Sequence, residues 1–164
     1  MTEFDEKQLA FVGEKLISNH HTIAVAESVT GGLLQFALSG IIDAATFYQG
    51  GITAYNISQK CRLLSIDPYH AMQVNCVSDQ VAFEMASNVS LHFNSDWGIG
   101  ITGYATPVPE SNQLLFAYYC ITYHQEVISK GKFQPNPGHP RLVQQYYVNS
   151  VVQKLLSVLQ AQKF

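Results

Sequence analysis

Little of this sequence is charged. Lys, Arg, Asp and Glu make up 13% of the chain against 47% hydrophobic residues, the balance of a globular chain with a core and not of a disordered one. So few charges also suggest a partly covered surface, most simply covered by a second subunit. There is no Lys/Arg cluster, the net charge is −3 and the pI about 6.0. Bulk electrostatics therefore do not draw the chain to nucleic acid. The three cysteines, Cys61, Cys76 and Cys120, are widely spaced and form no C-x-x-C pair, which argues against a disulfide framework or a zinc site and fits a reducing cytosol. No apolar run reaches the ~20 residues a membrane span needs. The opening residues, MTEFDEKQLAFVGEKL, are acidic and amphipathic, unlike a basic-then-apolar signal peptide. The expectation is a soluble, cytoplasmic protein whose 164 residues form one domain, 1–164, with a sizeable core.

Hydrophobic patterning divides the chain into alternating elements. Helices are expected over residues 3–18, 31–38 and 58–64, with another starting at Asp67-Pro68, a long one capped by Ser78 and running to about 93, and a closing one over 141 to about 160. Strands are expected over 22–26, 47–55 and 97–102, and a hairpin over 114–123 and 126–133 around His124-Gln125. Gly50-Gly51 inside the second strand points to a bulge or a close backbone approach. Residues 135–140 form a proline-rich loop. Interleaved helices and strands give an α/β layered domain, and the hairpin makes its sheet mixed.

Chemistry concentrates in residues 22–32, TIAVAESVTGG. A serine at a strand exit, with glycines and a helix start just beyond, suits a nucleophile near oxyanion donors; the same geometry suits a phosphate. Ser28 needs a base. His20 and His21 precede the strand and belong at its opposite end, while His70, His92, His124 and His139 have no spacing that ties them to Ser28; a spatial Ser-His-Asp triad stays open. Strand alternation points the Glu27 side chain away from the serine. In residues 54–60, AYNISQK, Tyr55 ends a strand and Lys60 sits on the next helix. A lysine with a depressed pKa is an adequate base, and a tyrosine can donate or relay a proton. Packing for Tyr55 and solvation for Lys60 are the plain alternatives. The later tyrosines, Tyr118, Tyr119, Tyr123, Tyr146 and Tyr147, have no interleaved basic residues and read as packing, not as a base-stacking surface.

Four segments in order, AESVTGG, QGGITAYNISQKCRLLSI, CVSDQVAFEMA and IGITGYATP, resemble the C-terminal domain of the competence/damage-inducible protein CinA. That domain also occurs alone as a nicotinamide mononucleotide deamidase, and the chain resembles this stand-alone form from about residue 6 to 159. The resemblance implies a three-layer α/β/α sandwich and hydrolysis of the carboxamide of nicotinamide mononucleotide to nicotinate mononucleotide and ammonia. It implies Ser28 as nucleophile, Lys60 as base, Tyr55 as an assistant to Ser28 or a pocket wall, and Thr30, Gly31 and Gly32 as the turn that shapes the site. Thr102 and Gly103 would border the substrate, and Arg141 would serve its binding. No metal or organic cofactor is implied; the partner is a small nucleotide substrate, and a homodimer or higher oligomer is expected.

The chain departs from the family pattern in places. Val29 stands for a cysteine, Asn56-Ile57 for Ser-Asn, Tyr104-Ala105-Thr106-Pro107 for Ile-Ala-Gly-Pro, and Gln145 for an arginine four residues after Arg141. Glutamine cannot copy the donor fork of a guanidinium. The alternatives are accordingly a diverged member that binds a small ligand or a protein without this activity, and an amidase with another substrate.

Overall fold

The structure, a computed structural model, describes residues 4–161. Its first helix, α1 (Glu6–Ser18), is capped by the Asp5 carboxylate and feeds the central strand β1 (Ile23–Glu27). After α2 (Leu33–Ser39) comes β2 (Tyr48–Thr53), then α3 (Ile57–Leu64), α4 (Pro68–Gln73) and α5 (Asp79–Phe93). Then β3 (Trp97–Tyr104), β4 (Phe116–Tyr123) and β5 (Glu126–Phe133) lead to the last helix, α6 (Pro140–Ala161). The part of the first expected helix before residue 4 lies outside the described residues.

The five strands form one sheet in the order β2-β1-β3-β4-β5. β1 runs parallel to both its neighbours, while β3, β4 and β5 are antiparallel to one another. The sheet is therefore mixed, as the hairpin implied. A register irregularity lies where β2 begins, and Gly50 there has φ +133°, so the glycine pair does mark a bulge.

Period-2 alternation assigns each strand residue to a layer. Ile23 and Val25 join Trp97, Ile99, Ile101, Ala117, Tyr119 and Ile121 in a core with apolar residues of α1, α2 and α6. Ala24 and Ala26 face the other way, into a core with Leu64, Ala71, Val81 and Met85 from α3, α4 and α5. The result is the α/β/α sandwich. On that second face β3 carries Gly98, Gly100 and then Thr102. A Cβ built at Gly98 would lie 2.0 Å from the Ala86 carbonyl oxygen, and one at Gly100 would lie 2.2 Å from that of Ala82. These glycines let α5 sit flush on the sheet, and the clashing atoms are backbone, which cannot swing aside. Gly98→Ala is expected to destabilise the fold by about 3 kcal/mol or more, read as a lowered urea midpoint.

β3 extends past the expected end at 102. Its pairing with β1 stops at Ile101, but β4 continues the ladder through Thr102, Gly103 and Tyr104. Thr102 and Gly103 thus belong to a paired strand, not to a turn. Among the described residues no helix is long and apolar enough to cross a membrane.

Candidate active site

At its C-terminal end β1 is tied to both neighbours. The Glu27 carbonyl accepts from the Ala54 N–H at 2.9 Å, and the Ser28 N–H donates to the Ile101 carbonyl at 3.1 Å. Ser28 is therefore fixed between the exit of β2, where Tyr55 lies, and the late residues of β3, Thr102 and Gly103. Alternation then separates Glu27 from Ser28, as the sequence indicated. Glu27 shares the side of Ile23 and Val25 and reaches α2; Ser28 continues the side of Ala24 and Ala26 and reaches α3.

Glu27 is fully buried. Its carboxylate accepts backbone N–H bonds from Gly32 (3.2 Å), Leu34 (3.0 Å) and Gln35 (2.7 Å). It supplies the acceptors that the first turn of α2 needs. Gly31 and Gly32 make this possible: with φ of +61° and +99°, they bend the chain so that α2 begins directly over the strand end. The Gly31 N–H donates to the Ser28 carbonyl at 3.1 Å. Both glycine amides are thus spent inside the turn. That removes Gly31 and Gly32 from the oxyanion donors expected in this turn. The Val29 and Thr30 amides have no acceptor among the described residues.

On the other side, Asn56 caps α3 by accepting from the Gln59 N–H at 3.0 Å. Lys60 and Leu64, one turn apart, are the buried residues of this helix. Lys60 is only 3% exposed and Ser28 6%, and the Lys60 Nζ donates to the Ser28 Oγ at 2.9 Å. Lys60 makes no ion pair among the described residues. Burial therefore pushes its pKa below the ordinary lysine value, against weaker upward pulls from the Cys76 and Cys61 thiols. A neutral amine at the same separation can accept the Oγ proton. Burial in turn raises the Cys76 thiol, with Lys60 opposing. Thr102 donates its Oγ1–H to the Cys76 carbonyl at 2.7 Å, which fastens the loop before α5 to β3 beside the dyad.

A cavity of about 500 Å3 opens onto Ser28, Lys60, Thr102 and Gly103, with Ile57, Ala71, Met72, Asn75, Cys76, Tyr55 and Tyr104 around it. A smaller one of about 230 Å3 also touches Ser28, Tyr55, Gly103 and Tyr104 and reaches Gln144 and Pro140. Tyr55 makes no hydrogen bond to Ser28 or Lys60 among the described residues, and at 69% exposure it stands at the rim. Thr30, Gly31, Gly32 and Arg141 are elsewhere: they line a cavity of about 740 Å3 with Phe36, His139, Gln144 and Gln145. Gln144 borders this cavity and the small one, its Nε2 donating to the Val29 carbonyl at 2.9 Å. The Thr30 Oγ1 is buried without a hydrogen-bond partner among the described residues.

The sequence and the fold both have counterparts among known proteins. The family model described as CinA C-terminal domain matches residues 5–159. The chain belongs to the CinA C-terminal domain family. A CinA-like protein of Picosynechococcus is 36% identical over 112 residues, which is 68% of this chain and 27% of that protein. A putative competence-damage inducible protein of Desulforamulus reducens is 32% identical over 158 residues, 96% of this chain and 38% of that one. The chain thus spans well under half the length of these curated relatives. Among solved structures, the competence damage-inducible protein A of Klebsiella pneumoniae superposes with a TM-score of 0.92 at 23% identity, covering 98% of this chain and 100% of that one. A CinA superfamily protein of Escherichia coli gives 0.86 at 25% identity, covering 92% and 88%.

Of the residues singled out in this CinA-family sequence, the structure brings Ser28, Lys60, Thr102 and Gly103 together, with Tyr55 at their edge. It puts the Thr30–Gly32 turn and Arg141 around a neighbouring cavity. Glu27, Asn75, Cys76 and Gln144 were missed as contributors. Only Glu27 carried a signal, as a lone acid at the end of an otherwise apolar strand.

Proposed function

We propose that the chain is an amidohydrolase that cleaves the carboxamide of nicotinamide mononucleotide, giving nicotinate mononucleotide and ammonia. The observation that carries this reading is the 2.9 Å separation of the Lys60 Nζ from the Ser28 Oγ, with both groups buried. Neutral Lys60 takes the Oγ proton as Oγ bonds to the carboxamide carbon. The resulting oxyanion has the unspent Val29 and Thr30 amides as its nearest candidates for donors in the turn. The Lys60 ammonium then passes the proton to the amide nitrogen, the C–N bond breaks and ammonia leaves. Water attacks the acyl ester, giving one proton to Lys60; Oγ recovers that proton as the carboxylic acid departs, and the acid ionises to solvent. Tyr55 covers the bound ring from the rim, and Arg141, across Gln144, receives the phosphate in the larger cavity.

The reaction needs Lys60 unprotonated. Its pKa is lowered by burial, so kcat/KM is expected to rise with pH to a plateau, with a midpoint below the ordinary lysine value of 10.5. Ammonia release measured between pH 6 and 10 gives the profile; a rate that falls with rising pH across this range speaks against Lys60 as the base.

A second reading, ligand binding without turnover, is favoured by one observation: the Gly31 and Gly32 amides are already occupied. Incubation of the pure protein with nicotinamide mononucleotide separates the two. Binding by calorimetry with no ammonia released would support the second.

A further inference from the structure

The nucleophile and its base are almost closed off from solvent, yet an amide carbon has to reach the Ser28 Oγ. Two residues that line their cavity are joined by a side-chain hydrogen bond at the surface. Tyr104, at the end of β3, and Asn75, in the turn between α4 and α5, both line the dyad's cavity, and the Asn75 Nδ2 donates to the Tyr104 Oη at 3.0 Å. Asn75 is exposed and has φ +49°, a turn position. The base of Tyr104 is rigid by contrast. Its carbonyl accepts from the Tyr147 Oη at 2.8 Å, its ring meets Phe116 edge-on with centroids 5.3 Å apart, and its backbone is paired to β4.

We propose that Tyr104 is the specificity-determining residue of this site: its hydrogen bond to Asn75 bridges the cavity mouth and restricts access to Ser28 according to the size of the incoming molecule. The restriction rests on the active-site reading of Ser28–Lys60, but its physical basis does not. An exposed neutral hydrogen bond is weak enough to open in the native state. A molecule that needs the open mouth then binds with its intrinsic affinity reduced by the open fraction, whereas one that fits through the bridged mouth is not penalised.

Cys76 is a built-in reporter, because its thiol is buried in the same cavity. The rates of its alkylation by iodoacetamide and by bulky fluorescein maleimide are to be compared, peptide by peptide, in the native chain, Tyr104→Phe, Asn75→Ala and the double variant. Tyr104→Phe keeps the ring against Phe116 and the carbonyl bond to Tyr147, so the fold is retained. The ratio of bulky to small reagent at Cys76 cancels any change in thiolate fraction. It is expected to rise about fivefold in each single variant and no further in the double. Cys120, fully buried in another part of the core, is expected to stay unlabelled. An unchanged ratio, increments that add in the double variant, or labelling of Cys120 alongside Cys76 would overturn the bridge.

The second arm is ammonia release from nicotinamide mononucleotide, in which KM is expected to fall in both single variants with a smaller change in kcat. Turnover with an unmoved KM would remove the selective role. A ratio that rises while no protein releases ammonia would sink the amidase reading and leave the bridge standing.

Discussion

Ser28→Ala is expected to abolish ammonia release from nicotinamide mononucleotide, by a factor of about 10³ or more, while the protein stays folded. The serine contributes one hydroxyl to the interior. Its backbone bonds, the N–H to Ile101 and the carbonyl to Gly31, do not depend on its side chain. Lys60→Met is expected to lose activity to a similar extent, but with the opposite structural signature. Lys60 has no carboxylate among the described residues to offset its charge, and burial opposes the ammonium and lowers its pKa. A thioether of similar length removes that penalty, so thermal stability is expected to rise by about 0.5–2 kcal/mol, the range typical when a functional but unfavourable group is relieved. The gain is present in full at low pH and shrinks as pH rises toward the unfolded lysine value of 10.5. Above that value lysine is neutral in both the folded and unfolded chain, and the gain is gone. Lys60→Arg is not expected to rescue turnover, since a guanidinium keeps its proton. Steady-state ammonia assays and thermal melts at pH 7 and pH 10 measure both halves. Undiminished turnover by Ser28→Ala would sink the nucleophile assignment.

Glu27→Ala is expected to be the most damaging substitution for stability, costing about 3–5 kcal/mol. It leaves three α2 amides, those of Gly32, Leu34 and Gln35, facing a cavity with no acceptor. Two of these bonds share one carboxylate oxygen, and the third uses the other. Glu27→Gln keeps one carbonyl oxygen but sets an NH₂ group against an N–H donor, so about half of the loss is expected. Urea unfolding followed by circular dichroism gives the values. A cost for Glu27→Ala under about 1 kcal/mol would mean that α2 finds its acceptors elsewhere. The loss also acts on chemistry, because the turn between Glu27 and Gly32 is the one that carries Ser28.

The layers of the fold were legible because burial leaves a periodic trace. Small residues alternating with large ones in 97–101 show a strand with one face flush against a helix. Asp67 and Ser78 mark helix starts because their side chains supply acceptors that the first-turn N–H groups lack. Ser28 and Lys60 were legible through motif and resemblance, not through spacing: nothing in the residues between them says that a strand exit and a helix meet across a parallel pair. The use of the turn amides could not be read in advance. A Thr-Gly-Gly turn next to a serine looks the same whether its N–H groups face a ligand or an internal carboxylate. Arg141 was assigned to substrate binding through the family pattern at the closing helix, which carries no information on its distance from Ser28. The Gln144 side chain, bonded to the Val29 carbonyl, borders both the larger cavity and the small one that touches Ser28.

The first and last helices, α1 and α6, contribute to the same layer, with Leu9, Val12 and Leu16 joining Val148, Val151, Val152 and Leu155 in one core. Even the cap of α1 is involved, since the Asp5 N–H donates to the Asn149 Oδ1 at 3.3 Å. A chain growing from its N-terminus therefore makes one half of this layer first and the other half last. Through most of synthesis the apolar side of α1 has no permanent cover. The opposite layer draws its helices from consecutive segments, α3 to α5, and closes over short loops, so it can form while the ribosome is still at work. Contacts between distant segments are slow to make, so docking of α6 against α1 becomes the late event that completes this layer. The Lys60 side of the dyad is then assembled before the layer behind Ser28 is sealed.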